Sequence, residues 1–158
     1  MPARAIGPGV RFPPPLLFIA GFLVGWWLDT RLEFLIHGIG AGPIQLGLGF
    51  AMVAGGVLLM LWGITTFLRA RTAVIPMSPA RAIVVTGPYR FTRNPMYVGL
   101  TVAYAGIALL VNMAWPLVTL PAVLIALRYF VIAREERHLR QAFPDAYAAY
   151  CDRVRRWL

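Results

Sequence analysis

The chain has 158 residues, 59% of them hydrophobic and 13% charged, with a mean hydropathy of +0.70 and a net charge of +9 carried by fifteen Arg and no Lys. Soluble domains carry about twice that share of charge, so the composition points to a membrane protein of one domain. It excludes a disordered chain, a collagen-like fibre and, with Cys151 as the lone cysteine, a disulfide-stapled module. In so apolar a chain the positive balance is the bias of cytoplasmic connections, which sets nucleic-acid binding aside.

A helix that crosses about 30 Å of hydrocarbon needs roughly 20 apolar residues. The first charge-free run, Phe12 to Leu28, opens on Pro13-Pro14-Pro15, so its helix starts near Pro15 and the span is predicted over 15–36, through Asp29 and Arg31. The second, Gly38 to Leu68, has a natural start at Gly42-Pro43 and predicts a span over 44–68. The third, Asn94 to Leu127, has 34 residues. As one helix it would run about 51 Å, too long for one crossing. Asn112 and Trp115-Pro116 interrupt it, predicting a helical hairpin of 96–111 and 116–133.

The expected fold class is therefore an all-α membrane protein of four transmembrane helices, the last two a hairpin, with a cytoplasmic loop over 81–99 and a cytoplasmic helical tail over 134–158. The charges agree. Residues 1–13 carry +2, the first connection −1, the second +5, the hairpin turn nothing, and the segment from Arg128 onward +3. This alternation predicts a multi-pass protein with both termini cytoplasmic, as in a bacterial or archaeal inner membrane. Leu16 to Leu28 runs into Trp26-Trp27-Leu28-Asp29 without a small-residue cleavage site, so no cleaved signal peptide is expected.

Two cytoplasmic segments are more patterned than connections require. In the first, Ile83 to Thr86 is β-branched and extended, Gly87-Pro88 forces a turn, and Asn94-Pro95 reads as a helix start. A helix start offers unpaired N–H groups to an anionic ligand group, and Gly99 removes a side chain where a ligand can lie against the backbone. A basic loop that holds lipid headgroups accounts for Arg69, Arg71 and Arg81. It does not account for Tyr89, Arg90, Arg93, Asn94 and Tyr97 on one loop.

The second segment is Arg134 to Tyr150, where Glu135 and Glu136 oppose the local positive bias. Either they pair with Arg134, Arg137 or Arg140 on the same helix, or one of them meets a cation or the hydroxyls of a ribose. Glu135-x-x-His138 has the spacing of a carboxylate metal motif, but such sites draw on several helices and the chain has two His, so no metal is expected. A lone cytoplasmic thiol such as Cys151 is ordinarily inert. The chain contains no nucleophile elbow, P-loop or dinucleotide-binding glycine pattern.

Gly87-Pro88-Tyr89-Arg90-Phe91-Thr92-Arg93-Asn94-Pro95-Met96-Tyr97-Val98-Gly99, followed after a hairpin by Glu135-Glu136, Phe143, Tyr147, Tyr150 and Val154-Arg155-Arg156-Trp157, resembles the integral-membrane methyltransferases of the isoprenylcysteine carboxyl methyltransferase and phospholipid N-methyltransferase superfamily. The resemblance covers roughly the last 80 residues. It implies S-adenosylmethionine in a cytoplasm-facing pocket and a lipophilic small-molecule or lipid acceptor entering from the bilayer. By motif position, Arg81, Ala82, Ile83 and Val84 would give backbone contacts to the cofactor and Tyr89 would close over it. Asn94, Pro95, Met96 and Tyr97 would hold the helix end against it, and Glu135 would take the remaining polar contact beside Glu136. Glu135 and Glu136 are then the candidate catalytic bases.

Two departures stand out. Many relatives have His where this chain has Asn94, which cannot titrate. Prenylcysteine-specific members hold the substrate carboxylate with an Arg at the position of Val131, leaving Arg128 and Arg134 as the candidate substrate-binding cations. Two other readings stay open on the sequence. One is a lipid or sterol reductase that uses a dinucleotide on a related scaffold, and the other is a non-enzymatic membrane adaptor.

Overall fold

A computed structural model of the chain describes residues 12–32, 42–71 and 82–157. Arg81 lies outside the described residues, as does residue 33 to 36 of the predicted first span. The helices are α1 (Pro15–Arg31), α2 (Pro43–Arg69), α3 (Pro95–Leu110), α4 (Trp115–Leu127), α5 (Ala133–Ala142) and α6 (Pro144–Arg153). A 3₁₀ turn, Gly87–Arg90, precedes α3, and a π turn, Arg128–Ile132, joins α4 to α5 without a break.

Proline opens α1, α2, α3 and α6, where its missing N–H costs nothing and its fixed φ is already helical. The predicted turn at Asn112 is present: Asn112 takes φ +56°, the Met113 N–H bonds the Ala108 carbonyl at 3.0 Å, and α4 starts at Trp115. Gln45 of α2 steadies it, donating from Nε2 to the Leu109 carbonyl at 2.8 Å and to Asn112 Oδ1 at 2.9 Å.

Two expectations are corrected. The first helix ends at Arg31, and Leu32 is already extended, because Asp29, Thr30 and Arg31 end its apolar run. The fourth helix does not stop at 133. It continues through the π turn to Ala142, so the first part of the predicted tail belongs to the same 28-residue helix, Trp115–Ala142. Arg134 to Arg140 are sound helix formers, and Glu135 and Glu136 among them find partners on other elements, in Tyr97 and Arg156.

Helices pack as two antiparallel pairs. On α2, Gly49, Gly56 and Gly63 recur every seven residues and form a buried stripe against α3. A Cβ on Gly56 would lie 2.5 Å from the Gly99 carbonyl oxygen, and one on Gly106 would lie 2.8 Å from that of Gly49. The two backbones are in direct contact, as small residues permit in membrane helices. In the other pair, Gly25 of α1 meets the backbone of Pro116, and Thr119 of α4 donates to the Gly21 carbonyl at 3.0 Å. Tyr104 of α3 joins the pairs: its hydroxyl lies 3.1 Å from Thr119 Oγ1, and its ring packs edge-on against Phe22 and Phe18.

Pro43–Arg69 and Trp115–Ala142 are long and apolar enough to cross a membrane. At 17 and 16 residues, α1 and α3 are shorter. Leu16, Ile19, Leu23 and Trp27 of α1, Ile44, Phe50, Leu58 and Leu61 of α2, and Val118, Ile125 and Phe130 of the last helix are all exposed. Soluble monomers rarely show apolar faces of that extent, whereas a bilayer requires them. The charged segment Ala133–Ala142 runs on beyond the apolar stretch.

Candidate active site

The two patterned segments meet where α2 ends and α3 begins. Gly87 stands at φ +59°, in the left-handed region, and a Cβ there would lie 2.7 Å from Thr66 Oγ1. Glycine alone therefore lets the 3₁₀ turn rest against the end of α2. The turn sends Tyr89 inward, where it is 4% exposed with its ring 5.0 Å from that of Phe67. Its carbonyl accepts the Tyr150 hydroxyl at 2.7 Å, but its own hydroxyl is buried with no hydrogen-bond partner among the described residues. Burial, with Tyr150 and Glu135 nearby, pushes the Tyr89 phenol up, so it stays a neutral donor. A buried O–H without an acceptor is costly, and contact with a ligand is one physical reason to keep it.

Asn94-Pro95 opens α3 as predicted, with the Tyr97 and Val98 N–H groups on the Asn94 carbonyl at 3.1 and 3.0 Å. One turn in, Tyr97 donates its hydroxyl to Glu135 Oε1 at 2.7 Å. Burial raises the Glu135 carboxyl most, the Tyr97 bond lowers it, and the neighbouring Glu136 raises it again, to about 7. A carboxyl close to half-ionised at neutral pH, fixed by a phenol and sitting where two segments converge, is the kind of group active sites contain.

Glu136 faces different neighbours. Arg156 Nε and Nη2 donate to its two oxygens, each at 2.8 Å, with Arg93 and Arg140 both 3.7 Å away. Of the same-helix partners expected from sequence, Arg140 contributes, but the close pair comes from 20 residues on. Asn94 is also engaged, its Nδ2 donating to the Arg156 carbonyl at 2.9 Å.

Of the residues expected at the cofactor, Tyr89, Tyr97 and Glu135 come together. Val84 is buried, Ile83 half-buried and Ala82 exposed. Gly99 is corrected: the space left by its missing side chain is filled by α2, with the Gly56 carbonyl oxygen 2.6 Å and Met60 Cγ 2.9 Å from where its Cβ would be. It serves helix packing, not a ligand. Met96 likewise lies against α2, facing Gly63, and Pro95 is buried. Arg128 is exposed, its guanidinium 6.0 Å from the Tyr129 ring, and Arg134 is half-buried. Val131 is fully buried in the core with Phe18, Tyr97, Tyr104 and Leu127.

From sequence Arg93 stood with Tyr89, Arg90, Asn94 and Tyr97 as more than a lipid-headgroup cation, while Tyr150 and Arg156 entered only as motif residues without a role of their own. Arg93 packs its guanidinium against Cys151 Sγ, and its backbone N–H bonds the Arg155 carbonyl at 3.0 Å. The available signal was the pair of acids with more arginines around them than one helix face can use.

A family model described as phospholipid methyltransferase matches residues 44–146, from the first turn of α2 into α6. Neither the curated proteins nor the solved structures give a match. The matched segment is well over half of the chain and contains Tyr89, Tyr97 and Glu135, so the chain belongs to the phospholipid methyltransferase family, within the superfamily of membrane methyltransferases that the motifs resemble.

Proposed function

We propose that the chain transfers a methyl group from S-adenosylmethionine to a small lipophilic acceptor that reaches the site from the bilayer. The observation that carries this reading is the Tyr97–Glu135 hydrogen bond beside the unpartnered Tyr89 hydroxyl, in a chain of a methyltransferase family that acts on lipid-related substrates. S-adenosylmethionine presents cationic groups suited to a half-buried carboxylate, and hydroxyls and a carboxylate suited to a lone phenolic O–H and a helix start. Tyr89, Tyr97 and Glu135 would hold it, with Ile83 and Val84 along one side.

When bound, the cofactor supplies an electrophilic methyl group on a positively charged sulfur. The chain contributes position and desolvation. Tyr97 fixes the Glu135 carboxyl through Oε1, and the burial that lifts this group toward neutrality also excludes water. A carboxylate acceptor needs no base. An ammonium acceptor must first lose a proton, and Glu135 can take it at Oε2. Glu136, with both oxygens engaged by Arg156, acts here as a structural anchor.

The acceptor is not a prenylcysteine on this reading, because Val131 cannot hold a carboxylate and is buried in the core. Arg128, exposed at the end of the apolar stretch, is the cation best placed for a lipid headgroup. The four helices α1 to α4 are taken to cross the bilayer with both termini cytoplasmic, which agrees with the charge alternation and the exposed apolar faces.

The test is equilibrium binding of labelled S-adenosylmethionine to the purified chain in nanodiscs, with a nicotinamide dinucleotide as the competing ligand. Saturable binding that is lost in Glu135→Gln supports methyl transfer. Binding of the dinucleotide alone would move the chain to the reductase reading, and binding of neither to the adaptor reading.

A further inference from the structure

The residues that follow α6 touch both halves of the site. The Arg156 side chain grips Glu136 with two parallel bonds of 2.8 Å. Its carbonyl accepts from Asn94 Nδ2 at 2.9 Å and Thr92 Oγ1 at 3.2 Å. Trp157 packs against the core cluster that includes Tyr97, Val131 and Ile132. Glu136 adjoins Glu135 on α5, and Asn94 begins the helix on which Tyr97 lies one turn in. Arg156 is thus bonded to the neighbour of each partner in the Tyr97–Glu135 hydrogen bond. It lies beyond residues 44–146, the segment that matches the family.

We propose that Arg156 is a positioning residue of the candidate active site: held between Glu136 and Asn94, it keeps α5 and the start of α3 in the register that lets Tyr97 reach Glu135. The inference rests on the reading of that pair as the cofactor site. The residue type follows from geometry, since a guanidinium presents two parallel N–H donors to both carboxylate oxygens and an ammonium does not.

Charge gives a second, separable consequence. Glu135 faces Tyr97 from α3, Tyr89 from the 3₁₀ turn and Glu136 on its own helix. Glu136 is in turn faced by Arg156, Arg93, Arg140 and, from α6, Tyr147 with Cys151 beside it. The Glu136 charge already pushes the Glu135 carboxyl up. Without Arg156, the cations paired with Glu136 among the described residues are the two arginines at 3.7 Å, and the push grows.

The chain has three glutamates, Glu33, Glu135 and Glu136, so glutamate labelled with carbon-13 at the side-chain carboxyl gives three resonances. Glu135 is the one that disappears in Glu135→Gln. In nanodiscs without cofactor, Arg156→Gln is expected to raise the Glu135 midpoint by on the order of one pH unit, and Arg156→Lys by less. Glu136→Gln/Arg156→Gln, which removes both charges, is expected to return it to the parent value or below. Binding of S-adenosylhomocysteine is expected to weaken roughly tenfold or more in Arg156→Gln, with partial recovery in Arg156→Lys. An unmoved midpoint in folded Arg156→Gln overturns the proposal. Should that variant not fold, a midpoint above the parent's in the double variant overturns it instead. Failure of the parent chain to bind S-adenosylhomocysteine sinks the cofactor reading, which the titration of Glu135 does not depend on.

Discussion

Gly55 and Gly56 are adjacent on α2, and the same substitution should act on them in opposite directions. A Cβ on Gly56 would lie 2.5 Å from the Gly99 carbonyl oxygen, 2.7 Å from the Ala103 nitrogen and 3.0 Å from the Ala103 Cβ, whereas ordinary contact begins at 3.4 Å. The nearest atoms are backbone and cannot rotate away, so α2 and α3 must part by most of 0.9 Å, the difference between 3.4 and 2.5. Overpacking of this kind costs about 1–3 kcal/mol, and a glycine removed from a helix interior returns only about 0.5–1. A Cβ on Gly55 meets nothing within 4 Å, so Gly55→Ala keeps the gain without the clash. Gly56→Ala should therefore melt lower than the parent, and lower than Gly55→Ala by roughly 2–12 °C for a chain of this size. Thermal unfolding of the three proteins in one detergent is the assay. Equal melting of the two variants would refute direct backbone contact along this seam. Because Gly63 continues the stripe and faces Met96 beside the Tyr89 hydroxyl, Gly56→Ala should also weaken cofactor binding, although it touches no site residue.

Since the Glu135 carboxyl is raised from 4.5 to about 7 in the fold, the stability it contributes is present below pH 4.5 and is lost as pH rises through about 7. Glu135→Gln should remove that slope from a pH series of unfolding midpoints. The variant should be more stable than the parent above neutrality while binding the cofactor roughly ten- to a hundredfold less tightly. Tyr97→Phe deletes the bond that holds Glu135 down, so the Glu135 titration should move up and cofactor affinity should fall. Gly87→Ala places a side chain at φ +59° and against Thr66, which should cost about 1–2 kcal/mol from the backbone alone, read as a lower unfolding midpoint in the same detergent. Cysteines introduced at the exposed positions Thr86 and Ala148 should label from the same side of sealed vesicles, and labelling from opposite sides sinks the four-crossing reading.

The helices were legible where punctuation and composition coincide. Gly42-Pro43, Asn94-Pro95 and Asn112 followed by Trp115-Pro116 mark a helix start, a helix start and a turn, and the structure has each where local chemistry requires it. The end of the fourth helix was not legible from charge. Polar residues after 133 read as a departure from the bilayer, yet a helix can leave its apolar stretch without ending when other elements receive its polar side chains. The glycine stripe was legible but misassigned at Gly99. A single glycine at a helix start suggests close approach by something, and only the sevenfold spacing of Gly49, Gly56 and Gly63 on α2 with Gly99 and Gly106 on α3 says that the something is a helix.

The site shows a different limit. Glu135 and Glu136 are the same residue type one position apart, and composition, spacing and hydropathy treat them alike. Successive helical residues point about 100° apart, so the two carboxylates look at different surroundings. One meets Tyr97 and is raised out of the usual carboxylate range, while the other meets three arginines. Apart from Arg140 on the same helix, those surroundings come from α3, from the loop before it and from the residues after α6, elements separated from the pair by 20 to about 40 positions. No local pattern could divide an acid that is available for chemistry from one that is already spent on structure. What divides them is whether the partner can be displaced. A phenol sharing one oxygen leaves the other for a ligand or a proton, whereas a guanidinium that occupies both leaves nothing, and on that ground the chemistry of this chain belongs with Glu135 and its shape with Glu136.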